Sequence, residues 1–511
     1  MKNPKHPLSL ILILFLSVIS LILILNLAGK IYIQKQIQNF DSSSFTFSSP
    51  PEVKVRILQR KVSIKEAELA GKETDKIRVN HLLIKGIHIF PLLLKGNFVI
   101  NTIIVDQPII ILSKSAGDIS GKKPEKEARI GKLEIKNGKF MMSKADSTKN
   151  DTLVYTEADA IVSKININSN AQKLVFQNHS IDRIRVSAMN TKYYLSNGLY
   201  HATFDSLNFD SENPDFRTYN IRLKSNYPKY EIAHVTGVET DWYDISLDSF
   251  KLKDIRLSEL LKDNLLIADK ANLNGLKIHS FRDKRLPFPE KQNTKLPMQM
   301  INSLPLKINT DTVQVKNSYI DYSEHRQNAD KAGILKFYDL NVTISNLSNI
   351  DSLISGKTKM EASAKIMNES MLEAEFVFPN NIYPEKYQVT GTLEPLYLKA
   401  FNPMAISAAS AKIESGRTKT VAFNFYYNND RADGDLIFEY ENLKIVLLNN
   451  NNSEKDIASF FANAVAIKKN NLQSTQSFNK GTVSFERDKK KSIFNYWWKS
   501  LQSGIKDSAT P

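Results

Sequence analysis

Three kinds of hydrophobic patterning follow one another along the chain. The first is a block. Leu8–Ala28 reads LSLILILFLSVISLILILNLA, 21 consecutive residues without a charge. A helix of this length, at about 1.5 Å per residue, reaches about 31 Å, the thickness of a bilayer's hydrocarbon core. Backbone groups in lipid find partners only within their own segment, so the block predicts a spanning helix. From Val53 the pattern changes to short β-branched and aromatic runs between Gly, Asn, Asp and Pro, which predicts strands. Phe98–Leu112, FVINTIIVDQPIIIL, is apolar on both sides and predicts a strand buried on two sides, or one that packs a core on one side and lipid or another layer on the other, with Pro108 at an edge or a bulge. Further on the alternation is clean: Met360, Ala362, Ala364 and Ile366; Leu372, Ala374, Phe376 and Phe378; Tyr387, Val389 and Leu393; Phe423, Phe425 and Tyr427; Leu436, Phe438 and Tyr440. The parity then flips to Leu443, Ile445 and Leu447, which predicts a bulge near Glu441-Asn442. A period of two with one apolar side means a sheet with one dry and one wet face.

Helical patterning is sparse after the first block. Leu257–Leu266 is a short candidate. Ser453–Lys468 is a second, with Ser453 and Asp456 as a capping signal and Ile457, Phe460, Phe461 and Val465 on one side. Near the C-terminus, Ile493, Phe494, Trp497, Trp498, Leu501 and Ile505 fall within an arc of about 140°, with Lys499 and Lys506 opposite. Such a helix suits a membrane–water interface, or closes the end of the sheet with its tryptophans as core. Ser115–Lys126 and Arg282–Pro297 read as exposed connections.

Two short patterns recur in order. Leu133-Glu-Ile135-Lys-Asn137-Gly138-Lys-Phe140 reappears as Val313-Gln-Val315-Lys-Asn317-Ser318-Tyr-Ile320, and Ile84-Lys-Gly86-Ile87-His-Ile89 as Leu273-Asn-Gly275-Leu276-Lys-Ile278. Their nearly equal offsets imply an internal duplication. The expected organisation is a tail at 1–7, a membrane anchor at 8–28, a linker at 29–52, β-rich repeat regions at 53–270 and 271–450, and a C-terminal cap at 451–511. The fold class is mainly β: one spanning helix, then an elongated, repeated antiparallel sheet, groove or sandwich, with short helices at the C-terminus.

Composition narrows function mostly by exclusion. With no cysteine the chain forms no disulfide, thiolate metal site, cysteine nucleophile or lipidated anchor. The net charge of +15 is spread among interleaved acids. No basic helix with interspersed aromatics precedes the C-terminus, so nucleic acid is not an expected partner. The eight histidines lack the spacing of a zinc hydrolase, and no phosphate loop, nucleophile elbow or dinucleotide fingerprint appears. No enzymatic activity, metal or cofactor is expected. Lys2 and Lys5 before the first block balance Lys30 and Lys35 after it, so charge does not orient it. About 480 residues without a second span follow, which favours an uncleaved anchor with its N-terminus in the cytoplasm. A cleaved signal has a shorter apolar core, of about 7–15 residues, and Asn26-Leu27-Ala28 is a poor cleavage site.

The chain resembles the AsmA-like family of bacterial envelope proteins, in its Bacteroidota form. The resemblance rests on the N-terminal span and on Leu82–Leu112, with Gly86-Ile87 and Val105-Asp106-Gln107-Pro108-Ile109-Ile110. It also rests on the 391–416 segment, with Leu393, Asn402-Pro403 and Ser415-Gly416, and on Gly434–Leu448. It implies an inner-membrane anchor, a periplasmic β-groove with an apolar inner face, and movement of phospholipids towards the outer membrane. Phe423, Phe425, Leu436, Phe438 and Tyr440 are the sequence's candidates for that inner face. The alternative is an envelope scaffold that binds outer-membrane proteins by adding a strand at a sheet edge.

Overall fold

The computed structural model describes residues 7–38, 45–71, 75–88, 91, 97–113, 128–143, 152–167, 183–290, 293–327, 329–381, 386–448 and 467–510. The expected connection at 115–126 and most of the expected helix at 453–468 lie outside these residues. Strands account for 59% of the described residues and helices for 18%, so the protein is mainly β. It divides into two compact units, residues 1–196 with 203–216, and residues 197–202 with 217–511.

Unit 1 opens with α1 (Pro7–Gln38), which is longer than the apolar block and runs into the expected linker. Leu16–Lys35 within it is long and apolar enough to cross a membrane. The helix is tied to the turn that follows β2 (Glu52–Arg56): Asn26 Oδ1 accepts from Ile57 N–H at 2.7 Å. Strands β1 (Phe45–Phe47), β2 (Glu52–Arg56), β3 (Lys61–Gly71), β4 (Lys76–Ile87), β5 (Phe98–Ser113), β6 (Ala128–Ser143), β7 (Thr152–Ile167) and β8 (Arg183–Tyr194) follow, and most of β9 (Tyr200–Asp210) belongs here. From β3 to β8 each strand pairs with the next in sequence. All these pairs are antiparallel except β5–β6, which is parallel.

Unit 2 holds most of β10 (Asp215–Ser225), then α2 (Glu231–Thr236), β11 (Asp241–Lys253), α3 (Leu257–Asp263), β12 (Leu265–Asn274), β13 (Lys277–Asp283), α4 (Pro297–Asn302), β14 (Lys307–His325) and β15 (Gly333–Ser348). It continues through β16 (Thr358–Ile366), β17 (Ser370–Phe378), β18 (Tyr387–Leu393), α5 (Asn402–Ala409), β19 (Ala411–Tyr427), β20 (Arg431–Leu447), β21 (Gly481–Glu486) and α6 (Ile493–Ala509). Strand β11 pairs with both β12 and β13, and these two lie parallel to successive halves of β14. From β14 to β21 every pairing is antiparallel between sequence neighbours. The sheet is therefore mixed where the sequence pattern predicts antiparallel pairing alone.

The duplication is visible in the pairing. Strands β4, β5, β6 and β7 have counterparts in β11, the β12/β13 pair, β14 and β15, with the parallel contact in the same place. Left-handed residues mark matching positions: Gly86 and Asp254, Gln107 and Gly275, Asn137 and Asn317, Lys164 and Asn346. The first recurring pattern, at β6 and β14, is thus a true correspondence. The second is not. Register pairs Thr102 with Lys85 and the equivalent Lys270 with Lys253, so Ile84-Lys-Gly86-Ile87 corresponds to Leu252-Lys-Asp254-Ile255. Gly275 instead takes the place of Gln107. A glycine stands in both patterns because each position needs a positive φ. At Gly275 a Cβ would also come within 2.0 Å of Asp248 Oδ2. The second repeat accordingly starts near β11, upstream of residue 271.

These left-handed residues shift the pairing between Ile135 and Gly138 on β6 and between Val315 and Ser318 on β14. Each is a bulge, which bends its strand and flips the alternation. Pro108 follows left-handed Gln107 inside a strand paired on both sides, with no register shift on either, so it sits neither at an edge nor at a bulge.

The C-terminal end of unit 2 is a closed core. Phe425, Tyr427, Leu436, Tyr440 and Val483 are almost fully buried, and α4 and α6 pack against them through Met298, Ile493 and Tyr496. Helix α6 lies directly on β21: a Cβ on Gly481 would stand 2.1 Å from the Gly504 carbonyl oxygen. The same helix covers the outer edge of β21. Thr482 N–H donates to Asp507 Oδ2 at 2.8 Å and Ser484 N–H to Ser503 Oγ at 3.0 Å. Buried Arg487 fastens the preceding connection, donating to the Thr294 carbonyl at 2.5 Å.

Candidate functional site

Register identifies the residues that share one face of β3–β8. One row across the six strands is Val62, Ile84, Ile103, Leu133, Val162 and Ile184. The next is Ile64, Leu82, Val105, Ile135, Ala160 and Val186. Past the bulges the face continues through Ala67 and Val79, Gly138 and Ala158 with Ala188, and then Leu69, Ile77, Ile110 and Phe140. The hydroxyls that interrupt it, Thr156 and Thr191, satisfy each other at 2.6 Å. Charged residues such as Lys132, Glu134, Lys136, Arg183 and Arg185 occupy the opposite parity.

No helix or second sheet closes this face among the described residues of unit 1. Of the two long rows only Val62 is buried; the other eleven residues are half-buried. Six strands at about 4.8 Å, and about seven residues along each, give roughly 24 by 23 Å, or about 550 Å². A footprint of that size matches the largest apolar patch of a typical soluble protein, about 300–600 Å², which is often a binding site. An acyl chain is about half a bilayer core in length, near 15 Å, and crosses about three of these strands. The arrangement can hold extended apolar chains by contact alone.

The equivalent face of unit 2 starts in the same way. Val313, Val315, Val342 and Ile344 are half-buried, in register with Met360 and Ala362 on β16. It ends differently. The residues expected to line a groove, Phe425, Leu436, Phe438 and Tyr440, are 0%, 1%, 7% and 0% exposed, in the core beneath α6, and Phe423 packs against that core. They are core residues, because α6 supplies the cover. Of the expected interfacial residues, Ile493 is buried. Trp497, Leu501 and Ile505 pack against the core, with Trp497 4.8 Å from the Phe376 ring, while Phe494 and Trp498 face outward. The helix therefore closes the end of the sheet with Trp497 against the core, and leaves Phe494 and Trp498 outside it.

Titratable side chains converge elsewhere in unit 2. Glu324 is 5% exposed and accepts from Lys284 Nζ at 2.6 Å, Arg326 Nε at 2.9 Å and Tyr322 Oη at 2.7 Å. Burial pushes its carboxyl up, but the two cations and these hydrogen bonds outweigh it and hold it at about 2. Arg282 clamps Asp241 through two hydrogen bonds, Arg285 holds Asp283, and His279 Nδ1 lies 2.6 Å from Asp321. Each of these carboxylates already has a cation or ring nitrogen against it, which makes the cluster an ion-pair web that braces strand ends. Among the described residues no three His, Asp or Glu side chains converge as metal ligands would.

No protein-family model matches the chain, and no curated protein matches it.

Proposed function

We propose that this is a membrane-anchored lipid-binding protein that carries phospholipid acyl chains on the open face of β3–β8 without chemical change. The single observation behind the reading is that face: two rows from six strands, apolar throughout and uncovered among the described residues. Each methylene removed from water there contributes up to about 0.8 kcal/mol, so chain length sets affinity while headgroups stay in solvent. In this reading α1 crosses the inner membrane of a bacterial envelope. The bulk of the chain lies in the periplasm and passes lipid between envelope membranes, as the AsmA-like resemblance suggests. The scaffold alternative relies on strand addition, and the capped outer edge of β21 counts against it at that end.

The test places a photoreactive side chain at Ile103 in full-length protein reconstituted with phosphatidylethanolamine, with a second at Phe425. A lipid adduct by mass spectrometry at 103 and none at 425 is the expected result. Ile103→Asp should abolish co-purified lipid while leaving the melting temperature within a few degrees, because the site is half-exposed. Absence of an adduct at 103, with a co-purified polypeptide instead, would favour the scaffold.

A further inference from the structure

Helix α6 has a second apolar side that takes no full part in the core. Ile493, Tyr496, Ser500, Gly504 and Ser508 form its buried stripe. Roughly a quarter-turn away, Phe494 and Trp498 are 72% and 52% exposed, and half-buried Leu501 and Ile505 continue the same line along the helix. The segment 488–507 carries five lysines against two aspartates. Lys490, just ahead of the helix, and Lys506, about a third of a turn round from the stripe, are exposed; Lys499 is half-buried, Lys489 pairs with Asp430, and Lys491 stacks over Phe288.

We infer that this stripe seats on the surface of an anionic bilayer, with Phe494 and Trp498 at the headgroup–acyl boundary and the lysines at the phosphates. An exposed aromatic ridge flanked by cations is what such a boundary selects. Tryptophan presents an apolar body and a polar edge there, and lysine stems lie along apolar surface while their ammonium groups reach anions. A second copy of the chain is the poorer occupant. The stripe has four side chains, far short of the roughly 800 Å² per partner of a stable dimer, and two such helices would bring like charges together. The inference uses none of the residues of the open face on β3–β8, so the two proposals fail separately.

The chain has no cysteine, so Phe494→Cys accepts a single fluorophore in the full-length protein. The labelled protein is reconstituted into vesicles of phosphatidylcholine, with or without about 30% phosphatidylglycerol. In anionic vesicles the label should be quenched by lipid-borne nitroxides. It should also be roughly threefold less open to iodide than a label at Tyr397→Cys, a site 62% exposed on the same unit. That protection should weaken in high salt and in phosphatidylcholine alone. Trp498→Ser, or charge reversal at Lys490 and Lys506, should remove most of it. These positions are on the surface, so an unchanged melting temperature serves as the folding control. Equal iodide access at 494 and 397 in anionic vesicles overturns the inference. Protection without nitroxide quenching also overturns it, and assigns the stripe to a protein partner.

Discussion

Glu324 shows how a buried charge is made tolerable, through two cations and a phenol at hydrogen-bond distance. Its depressed carboxyl stabilises the fold fully above the unfolded value near 4.5, and that stability is lost as pH falls towards about 2. Glu324→Gln should cost about 3 kcal/mol at neutral pH, because Lys284 and Arg326 lose their counter-charge. It should also flatten the acid limb of a stability-versus-pH curve between about pH 4.5 and 2. Urea melts at several pH values check both. Phe425 gives a second test at this scale. It is fully buried, and Phe425→Ala should lower stability by about 3–5 kcal/mol. Its alternation with Phe423 and Tyr427 was legible in the sequence, as was the bulge, where Asn442 takes a φ of 54°. What covers those rings was not, because an alternating strand reads the same under a helix as under solvent. The cover comes from Tyr496 and its neighbours, some seventy residues later in the chain.

At the scale of elements, the sequence carries strands, bulges and the closing helix more plainly than it carries partners. Antiparallel neighbours follow from alternation and short turns. The parallel contacts β5–β6 and β12/β13–β14 depend on how a crossover returns, and nothing in the local pattern encodes that. The all-apolar β5 was the sequence signal for the open face. Pattern alone left open whether a second layer covered it. The outer edge of β21 is a matter of elements too, since two backbone donors there are occupied by side chains from α6. Replacing both Ser503 and Asp507 with Ala should free those donors, cost about 1 kcal/mol for each bond, and expose a strand edge to pairing. Concentration-dependent self-association in analytical ultracentrifugation is the expected result. A strictly monodisperse double variant would mean that the edge is guarded in some further way.

For the molecule as a whole, the contrast between the two units decides how it should melt. Unit 2 contains a closed core; unit 1 spreads comparable apolar residues over an uncovered sheet, with Val53, Val62, Ala67 and Ala188 as its buried hydrophobic side chains among the described residues. A sheet left open in this way is completed energetically by whatever apolar matter adheres to it. Its folding free energy then includes a mass-action contribution that grows with the logarithm of ligand concentration. At a hundred times the dissociation constant that contribution is about 2.7 kcal/mol, a substantial share of the stability of a typical domain. Calorimetry at increasing phospholipid should therefore move a lower transition, belonging to unit 1, upward by several degrees while the transition of unit 2 stays in place. If the proposed lipid binding holds, the bare face makes this half of the protein a gauge of lipid supply: well fed, it is robust, and starved, it is the first part offered to proteases.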